Sequence, residues 1–180
     1  PMCMVAGLDE SFDRAIFIGY HSEGGSEKNP LAHTLSLLAD VKINGEYASE
    51  FLINTYAAAL HGVPVAFVSG DQALTEHIAR YNDEIVTFAT KEGIGHATIS
   101  VSPQTTLKET KRLIEEAMKI ERSKLQIELP KQFNVEIIYK DHIKAYRNSF
   151  YPGAKFKAHN TVLFETTDYF EVLRLLQFST

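Results

Sequence analysis

Short apolar runs alternate with helix-like segments along this chain, and that alternation constrains its fold more than any other feature. Apolar runs at 15–20 and 65–69 are typical of strands buried in a parallel sheet, and a third strand is expected at 85–90. Amphipathic helical spacing follows at 50–61 and again at about 103–119. We therefore predict an α/β fold, a three-layer sandwich with a mixed, largely parallel sheet and an antiparallel hairpin.

The predicted hairpin depends on the dipeptide Asn44-Gly45. This dipeptide favours a type I′ turn, because both central residues of that turn need φ > 0. The segments at 34–38 and 40–49 are expected to be extended and antiparallel to each other. A second hairpin is expected at 155–166.

Size and charge restrict the classes of protein that this chain can belong to. With 180 residues, 44% of them apolar, residues 1–180 are expected to form a single domain around one core. The net charge of −5 and the scattered lysines and arginines argue against a nucleic-acid partner. A single cysteine, Cys3, excludes an intramolecular disulfide, and no apolar run approaches the ~20 residues of a membrane span. We expect a soluble, cytoplasmic protein without a membrane partner.

Three ionisable residues in the first third of the chain are candidates for a metal site. His21 follows the strand at 15–20, at the sheet edge where open α/β sheets bind ligands. His33 follows a Gly-containing loop, and Glu50 opens a helix behind the predicted N-cap Ser49. Neutral imidazoles and a carboxylate are ligands that zinc uses. The residue types and their places therefore suggest a zinc site.

A plainer role fits each candidate as well. Glu50 could do no more than complement the helix dipole, and His21 could be a hydrogen-bonded histidine at a strand end. We assign no chemistry to His61, His77 or His142, which lie at a helix end or within helices. Spacing alone leaves both interpretations of the site open.

Two further features are better explained by structural roles than by catalytic or ligand-binding roles. Asp71 is predicted to cap the helix that begins at Gln72. The Gly-x-Gly at Gly93 and Gly95 lacks the rest of a dinucleotide fingerprint, and no Walker-type lysine follows it. Nucleotide binding is therefore ranked behind the two functions that are described below.

Together, the motifs resemble the self-compartmentalising zinc D-aminopeptidases of the DppA type. The motifs that carry the resemblance are Met4-Val5-Ala6-Gly7-Leu8-Asp9, Ile18-Gly19-Tyr20-His21, the loop to His33, Asn44-Gly45, Ser49-Glu50, Val63-Pro64-Val65, Ser69-Gly70-Asp71, Lys91, Ser102-Pro103 and Tyr151-Pro152-Gly153. They extend over nearly the whole chain, and Gly-Tyr-His with the spaced glutamate is the most specific part.

The resemblance implies a function. It makes His21 and Glu50 metal ligands and His33 the catalytic histidine, beside two zinc ions that share a bridging water. The implied substrate is a short peptide with a free N-terminus and a first residue of D configuration. A ring-based homo-oligomer, a decamer, is the implied assembly.

The family pattern also includes a segment that this sequence does not contain. That segment has a strand with an Asp-x-Glu pair and a further histidine, ahead of the region that matches Pro1. We favour the interpretation that the chain is a portion of a longer enzyme. The alternatives are that the missing part is a second fragment, or that the chain is a shortened relative that has lost catalysis. The rival function is a non-catalytic oligomeric scaffold or small-ligand-binding protein of the same fold.

Overall fold

A computed structural model describes residues 2–37 and 39–180. The elements, in chain order, are β1 (Ala15–Tyr20), β2 (Ala39–Ile43), β3 (Glu46–Tyr47), α1 (Glu50–Ala59), β4 (Val65–Asp71), α2 (Gln72–Ile78), β5 (Val86–Ile94), β6 (Ala97–Ser100), α3 (Pro103–Ala117), β7 (Phe133–Tyr139), α4 (His142–Asn148), β8 (Ala154–Ala158), β9 (Thr161–Thr166) and α5 (Tyr169–Ser179). Short 3₁₀ turns lie at Cys3–Val5 and Arg122–Leu125. The alternation of strands and helices confirms the α/β prediction.

The first sheet has the strand order β1-β4-β5-β6. Strands β1, β4 and β5 are parallel, and β6 is antiparallel to β5, so the sheet is mixed and largely parallel as predicted. Strand β6 was not predicted, and its four residues are all exposed. Strand β4 is buried along its whole length and supports the neighbouring ends of β1 and β5.

Strand β1 is less buried than its apolar sequence suggests. Ala15 and Phe17 are buried, but Ile16 and Ile18 are 40% and 58% exposed. The prediction of a strand buried on both faces is therefore wrong for β1. The reason is its place at one end of the described sheet, where Phe17 packs on Phe51 of α1 while the isoleucines point to the other face.

The second sheet is antiparallel, with the order β3-β2-β7-β9-β8. It contains the predicted hairpin at Asn44-Gly45, whose φ values of 53° and 90° confirm a turn that needs φ > 0 at both positions. The predicted extended segment 34–38 includes Leu38, which lies outside the described residues. Within residues 34–37 the backbone turns tightly, with Ser36 N donating to Thr34 O at 2.6 Å, so no regular strand forms there.

Helices α1 and α5 connect the two sheets. Helix α1 contacts β1, α5 contacts β7 and β9, and the two helices contact each other. Tyr56, Phe133 and Tyr169 form a cluster with ring centroids 5.0 to 6.2 Å apart. The buried Tyr169 hydroxyl also donates to Ile53 O at 2.9 Å. Helix α1, which begins at Glu50, is thereby held on a rigid core.

In the described part of the chain, no helix combines the length and the apolar character that crossing a bilayer requires.

A close approach between β1 and β4 gives a first test of the fold. Gly70 pairs with Tyr20, and a Cβ added at Gly70 would lie 2.5 Å from Tyr20 O and 2.9 Å from Leu74 Cδ2. We expect Gly70→Ala to lower the free energy of unfolding by about 1–3 kcal/mol, because the added methyl must push β1 away. Urea denaturation measures this effect. An unchanged midpoint would contradict the close approach.

Candidate metal centre

His21 lies immediately beyond β1, at the end of the sheet that the sequence predicted. The Gly19 amide donates to Ser69 Oγ at 3.2 Å, which ties this end of β1 to β4. The His21 ring places Nδ1 2.9 Å from Ser22 O. Because a carbonyl only accepts, the neutral ring carries its hydrogen on Nδ1 and keeps its lone pair on Nε2. Nε2 is the atom free to ligate a cation.

His33 lies against His21, at the far end of the loop at 22–32. The two ring centroids are 4.2 Å apart, with 32° between the ring planes. His33 Nδ1 lies 2.7 Å from Leu31 O, so its hydrogen is also on Nδ1 and its lone pair on Nε2. The two imidazoles are therefore prepared in the same tautomer.

Glu50 enters the site from the first turn of α1. Ser49 caps this helix as predicted, with its Oγ accepting from Leu52 N at 3.3 Å. Glu50 Oε1 accepts from Leu35 N at 3.0 Å, which ties the helix to the segment that follows His33. A carboxylate can accept such a bond through one oxygen and ligate a cation through the other.

The structure brings together all three residues that the sequence singled out. One ligand atom each from His21, His33 and Glu50 can be chosen so that all three lie within 4.8 Å of one another. Within residues 2–37 and 39–180, this is the one group of its kind. Each side chain is partly exposed, so a cation and a substrate can reach them. Two imidazoles and one carboxylate form a ligand set that suits zinc, and these residues therefore fit the metal.

Tyr20 and Asn54 border the site. From the sequence, Tyr20 is named only as part of the Gly-Tyr-His motif, without a role, and Asn54 is not singled out. The Tyr20 hydroxyl accepts from Asn54 Nδ2 at 3.3 Å. Burial raises the pKa of Tyr20 to about 12, and the nearby Glu50 carboxylate adds to this effect, so the phenol is neutral at physiological pH. Asn54 is four residues after Glu50 on α1, and this spacing was the only available signal that the two share a helix face.

The loop at 22–32 is fastened to α2. Glu23 Oε2 lies 3.4 Å from His77 Nδ1, and Lys28 Nζ lies 2.8 Å from Glu76 Oε2. The predicted cap of α2 is confirmed, with Asp71 Oδ1 accepting from Leu74 N at 2.9 Å. The contacts of Glu23 and Lys28 with α2 therefore anchor the loop at two positions.

Comparison with known proteins identifies the family. A family model for D-aminopeptidases matches residues 1–178. The chain belongs to the D-aminopeptidase family. This membership confirms the resemblance that the sequence motifs suggested.

A curated sequence and a solved structure, both from Bacillus subtilis, are similar to this member of the D-aminopeptidase family. A curated D-aminopeptidase is 30% identical over 100 residues, which are 55% of this chain and 36% of the relative. The solved structure of the Zn-dependent D-aminopeptidase DppA, a self-compartmentalizing protease, matches with a TM-score of 0.87 and 24% identity. That match covers 99% of this chain and 68% of the solved chain, and it supports the fold. The match to the curated relative spans about a third of that protein's length.

Proposed function

We propose that this protein is a zinc-dependent aminopeptidase that releases N-terminal D-amino acids from short peptides. The observation that carries this proposal is the grouping of His21, His33 and Glu50 within 4.8 Å, in a chain of the D-aminopeptidase family. An enzyme of this class needs a cation-binding site that solvent and substrate can enter, and the partly exposed side chains meet that need.

We assign metal binding to His21 and Glu50. His21 would ligate through Nε2, because Ser22 O already accepts from Nδ1. Glu50 would supply the negative charge that favours binding of a divalent cation. Two bound zinc ions would lower the pKa of a shared water and polarise the scissile carbonyl. A two-zinc site needs more ligands than these two residues. In this proposal the other ligands come from another segment or another chain.

We assign proton transfer to His33. Its Nε2 lone pair is available because Leu31 O holds the Nδ1 hydrogen, so the ring can accept a proton as the peptide bond is attacked. It can then return that proton to the leaving amine. The tilted His21 ring, with its centroid 4.2 Å away, contacts His33 from one side.

The proposed assembly is a ring-based homo-oligomer, a decamer in the family pattern. Its support on this chain is the set of large apolar side chains left exposed, such as Ile94 and Ile99 on the β5–β6 hairpin and Tyr146 and Phe150 near α4. A closed ring would restrict access to the site to short peptides. Native mass spectrometry of the purified protein would give the subunit number.

The test of the proposed function compares two dipeptides that differ only in the configuration of the first residue, which is D in one and L in the other. We expect release of the first residue from the D form at a rate at least about tenfold above that from the L form, because pocket contacts discriminate between substrates of different shape by at least this factor. Removal of metal with a chelator should abolish release, and added zinc should restore it, because the activating cation is lost and regained. A protein that binds zinc but hydrolyses neither dipeptide would instead support the alternative of a non-catalytic scaffold or ligand-binding protein.

A further inference from the structure

One buried carboxylate oxygen connects to both imidazoles of the site. Asp71 is 1% exposed, and its two oxygens have different partners. Oδ1 caps α2 through Leu74 N. Oδ2 accepts from Ser22 N at 2.7 Å, from Ser22 Oγ at 3.2 Å and from Asn29 Nδ2 at 2.6 Å. Capping therefore uses one oxygen, while the other holds the loop at 22–32.

The first connection leads to His21 through a single residue. Ser22 is fully buried, and its amide donates to Asp71 Oδ2 while its carbonyl accepts from His21 Nδ1. Fixing the Ser22 backbone therefore fixes the carbonyl that selects the His21 tautomer.

The second connection leads to His33 through Asn29 and Leu31. Asn29 donates to Asp71 through Nδ2 and accepts from Leu31 N through Oδ1 at 2.9 Å. The carbonyl of the same Leu31 accepts from His33 Nδ1 at 2.7 Å. The chain of hydrogen bonds from Asp71 to the His33 ring is thus continuous.

We propose that Asp71 is the positioning residue of this site, holding the loop so that both imidazoles keep a free Nε2 lone pair, His21 for the cation and His33 for proton transfer. Groups that orient a ligating imidazole through its second nitrogen typically change metal affinity about 10–100-fold when they are removed. A carboxylate suits this position because three donors converge on Oδ2, and an ionised oxygen accepts them more strongly than a neutral one. Where it concerns zinc, this inference rests on the proposed function.

The test uses Asp71→Asn in the full chain. Asparagine is a good N-cap, so α2 keeps its first-turn hydrogen bond through Oδ1. The new amide group would face the Ser22 and Asn29 donors with hydrogens of its own, so both connections break. We expect the zinc Kd, measured by calorimetry, to rise about 10–100-fold. We also expect long-range ¹H–¹⁵N spectra of the metal-free protein to show both rings losing their uniform Nδ1–H tautomer.

Two further variants make the result specific. Asn29→Ala interrupts only the connection to His33, so its spectra should change for His33 and stay the same for His21. Asp141→Asn is the matched control, because Asp141 caps α4 with an equivalent bond to Lys144 N at 2.8 Å, and α4 packs on β7, β8 and β9 of the second sheet. It should change neither the tautomers nor the zinc Kd.

A folded Asp71→Asn protein with wild-type tautomers and wild-type zinc affinity would overturn the proposal. If Asp71→Asn does not fold, Asn29→Ala decides, and an unchanged His33 spectrum overturns the proposal. The tautomers are read without metal, so failure of the wild-type chain to bind zinc would reject the proposed function while the spectra still decide the role of Asp71.

Discussion

Replacing His33 with alanine is expected to lower peptide hydrolysis by about 100-fold to 10,000-fold, the range typical for loss of a general acid–base group. The zinc content of the variant should equal that of the wild type, because we assign metal binding to His21 and Glu50. The fold should also persist, since His33 lies on a loop and its side chain is partly exposed. Initial rates, elemental analysis and circular dichroism measure these three outcomes.

His142→Ala is the control for this experiment. His142 is an exposed histidine at the start of α4, so its removal should change neither the rate nor the metal content. A His33→Ala protein with full activity would remove His33 from the mechanism. A variant that loses zinc together with activity would show that His33 is a ligand, as its distance from His21 and Glu50 also allows.

Replacing Glu50 with glutamine is expected to weaken zinc binding by more than about 100-fold, beyond the range for groups that only orient a ligand. Glutamine has the same length and can still accept from Leu35 N, so the change removes the charge and little else. If Glu50 served only the helix dipole, zinc affinity would be unchanged and the cost would be about 0.3–1 kcal/mol of stability. Calorimetric titration and urea denaturation separate the two roles.

Glu171→Gln is the matched control for Glu50. Glu171 also lies in the first turn of its helix, α5, and it pairs with Arg174 at 2.8 Å. Its replacement should cost a similar fraction of a kcal/mol and leave zinc affinity unchanged. Equal zinc affinities for the two variants would contradict the ligand role of Glu50.

Local signals made parts of the fold predictable. Ser49 and Asp71 were predicted as N-caps and Asn44-Gly45 as a turn, because each depends on the backbone of neighbouring residues. The exposure of Ile16 and Ile18 was not predictable, since it depends on which strands lie beside β1 rather than on β1 itself. The separation of the antiparallel strands into a second sheet was also not predictable, because it depends on pairing between strands that are far apart in the sequence.

The candidate site was likewise predictable only in part from local sequence pattern. The place of His21 after a strand and of Glu50 at a helix start followed from local pattern, while the family resemblance gave these residues their expected roles. Their meeting with His33 depends on the path of the loop at 22–32. That path is fixed by Asp71, which is 49 residues beyond Ser22 in the sequence. Local pattern identified Asp71 as a cap, but no local signal could reveal its second oxygen's partners.

The most direct test of this account is the zinc content per chain of the purified protein, measured by elemental analysis after dialysis without chelator. The account predicts about two zinc ions per chain. The content should fall when Glu50 is replaced with glutamine and stay unchanged when His142 is replaced with alanine. A wild-type protein that retains no zinc would contradict the central claim that His21 and Glu50 belong to a working metal centre.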